Sequence, residues 1–223
     1  MAIQIQGNGG TVAEVDGTNF RALRIANRPV DYGALGLYSI NLATGVMAAG
    51  LAANAEIFQA RWTDATRFCA IFDVSCDGAG GIVAFAAGAT KMEAMIARGW
   101  SADGSGGTAA TISGNNNKLR TTMGSTLFGA IRGSSTAALT AGTKTLDSQG
   151  VGAIHSSTGA TAGTPLLPPS DLFGASGRTD NHPIVLASNG STTSEGVIVR
   201  ATVPATGTWT GGVSMRWAEL TSY

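Results

Sequence analysis

Charged residues are scarce in this 223-residue sequence: they make up 13% of it, and 14 basic residues balance 14 acidic ones. In a typical soluble domain about a quarter of the residues are charged. Binding to nucleic acid through its phosphates needs a clustered excess of Lys and Arg, so we expect no nucleic-acid partner. The neutral balance also removes the charge repulsion that keeps many proteins monomeric. We therefore predict a homo-oligomer or an assembly with other proteins.

Long apolar runs are also missing. No window of the sequence approaches the apolar length of a membrane helix. Residues 1–7 contain neither the basic stretch nor the apolar run of a signal peptide. We therefore expect no membrane partner, and a protein that is kept in the cytoplasm or released by a route other than secretion.

Cysteine and histidine each occur only twice. Cys69 and Cys76 lack the spacing of zinc ligands, and seven residues of extended chain would hold their sulfurs too far apart for a disulfide. Because one residue number is odd and the other even, we predict that the two side chains face opposite sides of one continuous strand. We expect both thiols to be reduced and partly buried. His155 and His182 lie in loops without a pattern of nucleophile and carboxylate. The sequence thus predicts no enzymatic activity, no metal and no cofactor.

Glycine, in contrast, is abundant, with 32 residues. Disordered chains lack hydrophobic residues and carry net charge, whereas 43% of this neutral chain is hydrophobic. The composition therefore favours short strands joined by many Gly-rich turns. Three Gly-rich segments, at residues 7–10, 78–81 and 104–107, neither end in Gly-Lys-Ser/Thr nor open a helix. We interpret them as turns rather than as phosphate-binding loops.

The strongest local signal is an alternation of apolar and polar residues near the end of the sequence. Residues 195–203 and 209–217 both alternate, which predicts two strands. The Pro and Gly of residues 204–208 suit a reversal of the chain, so we predict a terminal β-hairpin. Residues 91–98 fit a helix or a strand, and the neighbouring strands favour a strand.

A second pair of alternating runs covers residues 56–62 and 68–74. A polar segment separates them, and we predict another hairpin. In the first run, Phe58 and the other even-numbered apolar residues share one face of the strand. Ile57 and Gln59 are predicted to lie on the opposite face, because successive side chains alternate.

These patterns predict one all-β domain over residues 1–223, an antiparallel β-sandwich or jelly roll with long Gly-rich loops. Ile3 and Ile5 begin a strand that we expect to join the same core. Residues 101–126 and 155–182 are interpreted as long connections. A two-domain alternative would divide the chain near residues 100–125.

Candidate contact residues come from the aromatic and apolar side chains. Trp62, Trp209 and Trp217 lie in alternating strands, and we predict that they pack in the core. Trp100 follows a glycine and precedes a polar loop, which predicts an exposed contact. Together with Asp103 it offers the aromatic–carboxylate pair that a carbohydrate- or receptor-binding module would need, a second class of function.

The Pro-rich connection supplies four more candidates. We expect them to lie in a loop, free to dock on neighbouring subunits. They are Leu166, Leu167, Leu172 and Phe173.

Three segments carry a family resemblance: YGALGLYS from Tyr32, GLAANAEIFQARW from Gly50, and EGVIVRATVPATGTW from Glu195. In these segments, and through most of its length, the chain resembles a group of uncharacterised virion structural proteins of tailed bacteriophages. The resemblance implies a β-rich virion component, assembled in the host cytoplasm, whose partners are major capsid or tail proteins. A capsid-decorating or cement protein is the first expectation, and a tail or fibre-attachment component is the second. The resemblance transfers no functional residue.

Overall fold

The computed structural model describes residues 36–48, 51, 53–158, 166–167, 169–174, 182–187 and 193–221. In these residues all regular structure is β, which confirms the predicted fold class, including a strand over residues 91–98. The N-terminal strand predicted around Ile3 lies outside the described residues, and the single domain over residues 1–223 stays a prediction. The strands are β1 (Gly36–Ala43), β2 (Met47–Ala48), β3 (Ala55–Trp62), β4 (Phe68–Val83), β5 (Gly88–Ala102), β6 (Thr108–Ala109), β7 (Phe128–Gly133), β8 (Thr143–Leu146), β9 (Gly152–Thr158), β10 (Leu166–Leu167), β11 (Ser170–Gly174), β12 (Ile184–Leu186), β13 (Ser194–Thr202) and β14 (Thr208–Leu220).

Two antiparallel sheets pack face to face and form the predicted β-sandwich. In the first, which we call the β4–β14 sheet, β14 lies between β1 and β4. β2 pairs with β14, and β10, β11 and β12 pair with the other side of β4. The second, the β3–β13 sheet, has the order β6-β7-β3-β13-β5-β8, with β9 also paired to β5.

Both predicted hairpins are wrong, because the two strands of each lie in opposite sheets. β13 pairs with β3 and β5, whereas β14 pairs with β1 and β4. In the same way β3 belongs to the β3–β13 sheet and β4 to the β4–β14 sheet. Two strands that face each other across a sandwich core show the same alternation of apolar and polar residues as the two strands of a hairpin. The pattern therefore identified the buried faces but not the hydrogen-bonding partners.

Aromatic residues fill the core between the sheets. Trp62, Trp209 and Trp217 are buried there, as predicted. Tyr38 stacks on Trp217 with ring centroids 5.5 Å apart, and Phe128 meets Trp62 and Trp217 edge-on at 5.3 and 5.1 Å. Each such pair contributes about 0.5–1.5 kcal/mol beyond the burial of its surface.

A β-bulge in β4 changes which side chains face the core. The pairing of β4 with β14 shifts between Arg216 and Trp217, which leaves Phe72 as an extra residue in β4. Cys69 and Cys76 consequently both face the core, so the prediction of opposite faces is wrong. Both thiols are free and buried.

The two sheets also touch along both sides of the sandwich. On one side Gly152 of β9 lies so close to β11 that a Cβ at this position would overlap the carbonyl oxygen of Leu172. On the other, a Cβ on Gly133 of β7 would lie 3.1 Å from Leu42 of β1. We call these two contacts the glycine seams. Glycine is required at Gly152 because any side chain would separate the sheets.

Candidate functional site

Trp100 is not the exposed contact that the sequence predicted. Only 1% of its surface is exposed, and it packs with Met95, Ala97 and Ile198. Met95 and Ala97 alternate with the core-facing residues of β5, and Ile198 alternates with those of β13. The cluster therefore lies on the outer face of the β3–β13 sheet. The indole donates a hydrogen bond to the carbonyl of Ala102 at 3.0 Å. Burial at this position excludes the stacking of a sugar ring.

Asp103, the carboxylate predicted to act beside Trp100, is engaged in a different contact. Nη1 of Arg61 donates to its Oδ1 at 3.1 Å. The predicted aromatic–carboxylate pair is therefore not an open binding surface, and this part of the carbohydrate-binding prediction is wrong.

The four apolar candidates of the Pro-rich connection lie in strands rather than in a free loop. Leu172 and Phe173 belong to β11 and are 3% and 7% exposed, so they cannot dock on neighbours. Leu166 and Leu167 form β10, which pairs with β4, and their side chains lie outside the described part of the chain. The predicted loop is wrong because β9, β10 and β11 extend both sheets through this connection.

A buried polar cluster lies beside Trp100 on the same outer face. We call Glu56, Gln59, Trp100 and Lys144 the Lys144 cluster. Nζ of Lys144 lies 2.7 Å from Oε2 of Glu56, and the same oxygen accepts a hydrogen bond from Nε2 of Gln59 at 2.6 Å. Nζ also lies 4.5 Å from the centroid of the Trp100 ring, a cation–π contact. One carboxylate oxygen of Glu56 therefore contacts both the amine of Lys144 and the carboxamide of Gln59.

A β-bulge places these side chains together. The pairing of β3 with β13 shifts between Val199 and Arg200, which leaves Ile57 as an extra residue in β3. Ile57 and Phe58 both face the core, and Glu56 and Gln59 share the outer face. Strict alternation predicted Ile57 on the face of Gln59, so the sequence pattern gave no signal of this cluster.

Two loop segments cover the carboxamide of Gln59. Its Nε2 donates to the carbonyl of Thr140 at 2.7 Å, and a Cβ on Gly104 would come within 2.5 Å of its Oε1. The amide of Ser105 donates to the hydroxyl of Thr140 at 2.6 Å, which ties the two segments to each other. Only 2% of the Lys144 side chain and 9% of the Glu56 side chain are exposed. Water therefore has little access to the polar groups of the Lys144 cluster.

A groove lies on the outer face of the β4–β14 sheet. It has a volume of about 430 Å³. Its carboxylate, Asp77, accepts hydrogen bonds from Nδ2 of Asn41 and from the hydroxyl of Ser214. Glycines line its floor: Gly78, Gly80, Gly211 and Gly212. Residues 78–81 belong to β4, so the turn predicted there is wrong. A carboxylate already paired with its neighbours makes this groove a poor site for phosphate.

No protein-family model, curated protein or solved structure matches this chain. Within the described ranges, no three His, Cys, Asp or Glu side chains come together as metal ligands would. Those ranges also include no helix with the length and apolar character needed to cross a membrane.

Exposed apolar side chains gather at one end of the β4–β14 sheet. Val46, Ile82 and Val83 are 52%, 54% and 54% exposed. Thr208 pairs with Val83 on one side and with Ala48 on the other, so the β1–β2 turn and the end of β4 lie about 10 Å apart, two strand spacings. We call Val46, Ile82 and Val83 the apolar end. These three residues were not predicted as contacts, because the expected contact residues were the apolar side chains of the Pro-rich connection.

Proposed function

We propose that this chain is a structural protein of a bacteriophage virion, with capsid decoration or cementing as its first role. In this role it is held on the particle by non-covalent contacts with the major capsid protein and with its own copies. The apolar end is the observation that carries the proposal, since it offers three half-exposed aliphatic side chains at one end of a sheet.

Burial of this end against a partner would favour binding, because apolar surface gains about 25 cal/mol for each Å² removed from water. Three side chains alone give a weak contact. On a capsid lattice, however, many copies present the same contact, and each bound copy raises the effective concentration of the next. A modest apolar patch therefore suits a protein that attaches in an array better than one that binds a single partner in solution.

The neutral, weakly charged composition supports the same proposal. Equal numbers of acidic and basic residues leave little net repulsion between neighbouring copies. The resembling segments from Gly50 and Glu195 largely lie in β3, β13 and the start of β14. They support a shared fold and, since they fill the core, do not identify the partner surface.

The test is to locate the protein in particles of the phage that encodes it. We expect mass spectrometry to detect the chain in purified virions and electron microscopy to place it on the outer surface of the head. Density on the tail would assign the tail or fibre-attachment role instead. Absence of the chain from purified virions would refute the proposal.

A pair of variants tests the apolar end itself. Ile82→Asp places a charge in the proposed contact and is expected to lower the number of copies retained on particles. Thr145→Asp introduces the same charge at an exposed position of β8 and is expected to leave that number unchanged. Equal retention of the two variants would show that the chain attaches through another surface.

A further inference from the structure

The Lys144 cluster contains the parts of an amide-forming reaction. It holds an amine, a carboxamide carbon that the amine can attack, and a carboxylate that touches both groups. We propose that the cluster is a self-modification site, in which Nζ of Lys144 attacks Cδ of Gln59 and forms an intramolecular isopeptide bond.

The geometry places the reactants within a short movement of each other. Nζ of Lys144 and Nε2 of Gln59 bind the same oxygen of Glu56 at 2.7 and 2.6 Å, so the two nitrogens lie within two hydrogen-bond lengths. A reaction of this kind requires the attacking atom to come within about 3–3.5 Å of its target. Nζ of Lys144 also donates to the carbonyl oxygen of Ala141, so the attack requires the Lys144 side chain to leave that contact and turn toward Cδ, while Thr140 holds the carboxamide of Gln59.

Glu56 supplies the proton transfers. It takes a proton from the Lys144 ammonium, and the free amine then attacks Cδ of Gln59. Glu56 next passes that proton to Nε2, and the bond between Cδ and Nε2 breaks. Nζ loses a second proton as the new amide forms. The departing nitrogen leaves as ammonium with both protons, and Glu56 ends as a carboxylate. One C–N bond forms, one breaks, and no oxidant or cofactor is consumed.

Exclusion of water favours this reaction over hydrolysis of the carboxamide. The covering segments and the Trp100 ring surround the reactants, and the Gln59 residue is 3% exposed. Low solvent access strengthens the contacts of Glu56 with both groups and removes the competing nucleophile. Release of ammonium to solvent makes the bond permanent.

A second buried carboxylate provides the matched comparison. Glu93 contacts Lys91 and Arg200 at 2.7 Å each, so among the described residues its side-chain partners include an amine and a second cation but no carboxamide. The same chemistry therefore predicts no cross-link at Lys91.

The experiment is peptide mapping of the folded, full-length protein after denaturation and digestion. We expect a branched peptide that joins Gln59 to Lys144, and an intact mass lower than that of the sequence by one ammonia. A succinimide at either Asn-Gly pair, Asn8–Gly9 or Asn189–Gly190, would lose the same mass. The branched peptide therefore decides between the two.

Variants assign the bond to its residues. Lys144→Arg and Gln59→Leu are expected to abolish the branched peptide, and Lys91→Arg is expected to retain it. Recovery of the Gln59 and Lys144 peptides only in linear form from the wild-type protein would overturn the proposal. Because that measurement uses the wild type, it stands even if a variant fails to fold. A branched peptide that joins Lys144 to another residue would overturn it as well.

Discussion

Glu219 allows a sharp test of how a buried carboxylate affects stability. The residue is 1% exposed and accepts hydrogen bonds from the hydroxyl of Thr126 at 2.5 Å, the amide of Leu127 at 2.9 Å and the indole of Trp217 at 3.3 Å. Glu219→Ala removes the acceptor for all three donors. A buried donor without a partner costs about 1–3 kcal/mol, so we expect the free energy of unfolding to fall by about 3–5 kcal/mol. This is a large fraction of the 5–15 kcal/mol typical of a domain.

Glu219→Gln separates the charge from the hydrogen bonds, since Gln keeps one acceptor oxygen. Burial raises the pKa of Glu219. The native state therefore holds its proton to a higher pH than the unfolded chain, whose Glu pKa is about 4.3. Between the two pKa values the native state binds more protons, so the free energy of unfolding falls as pH rises. The contribution of Glu219 to the free energy of unfolding is therefore fully present below the pKa of the unfolded chain. It is lost as pH rises through the pKa of the native state.

The assay is urea unfolding of the wild type and Glu219→Gln at a series of pH values from about 4 upward. We expect the variant to gain stability relative to the wild type as pH rises. Glu195→Gln, at a partly exposed carboxylate paired with Arg98, is the control and is expected to show no such gain. A constant difference between wild type and Glu219→Gln at every pH would refute the reasoning.

Three further predictions concern packing. Gly152→Ala is expected to destabilise the fold by about 3 kcal/mol or more in urea unfolding, because the backbone must move to admit the methyl group. Gly124 has open space around it, so the free energy of unfolding of Gly124→Ala is expected to stay within about 0.5 kcal/mol of the wild type. Trp100→Ala is expected to lower the free energy of unfolding by about 3–5 kcal/mol, as for a core residue, and an unchanged unfolding midpoint would contradict its burial. Burial raises the pKa values of Cys69 and Cys76, so we expect both thiols to react with a thiol reagent only after denaturation, and rapid labelling of the folded protein would disprove this.

Period-two alternation was enough to predict β3, the first part of β4, β13 and β14, and the tryptophans of the main core. It could not predict which strands pair, because a strand of a sandwich shows the same alternation whether its sequence neighbour pairs beside it or lies opposite. This is why β13 and β14 were predicted as a hairpin and lie in different sheets. Pairing depends on contacts between residues far apart in the sequence, which a local pattern does not contain.

The candidate site was missed for one local reason and one distant one. The bulge at Ile57 adds one residue to β3, and every side chain beyond a bulge changes face. No turn residue marks Ile57, so the alternation of β3 was read straight through. Trp100 was predicted as exposed because its neighbours in sequence are polar. Its cover comes from Lys144 and Leu146, more than forty residues away.

The glycine seams have a mechanical consequence for the sandwich. A sandwich joined only by its core can shear, with one sheet sliding over the other. Here Gly152 and Gly133 bring the sheets into contact along both sides, and residues 117–119 bond to the free side of β1 through Ser39 and Leu37. Sideways force on one sheet is therefore passed to the other at its margins as well as through its centre. At β1 the amide of Ser39 and the carbonyl of Leu37 are already hydrogen-bonded to residues 117–119. A strand of a neighbouring copy therefore cannot pair with β1 at these positions, and crowded copies stay separate folded units.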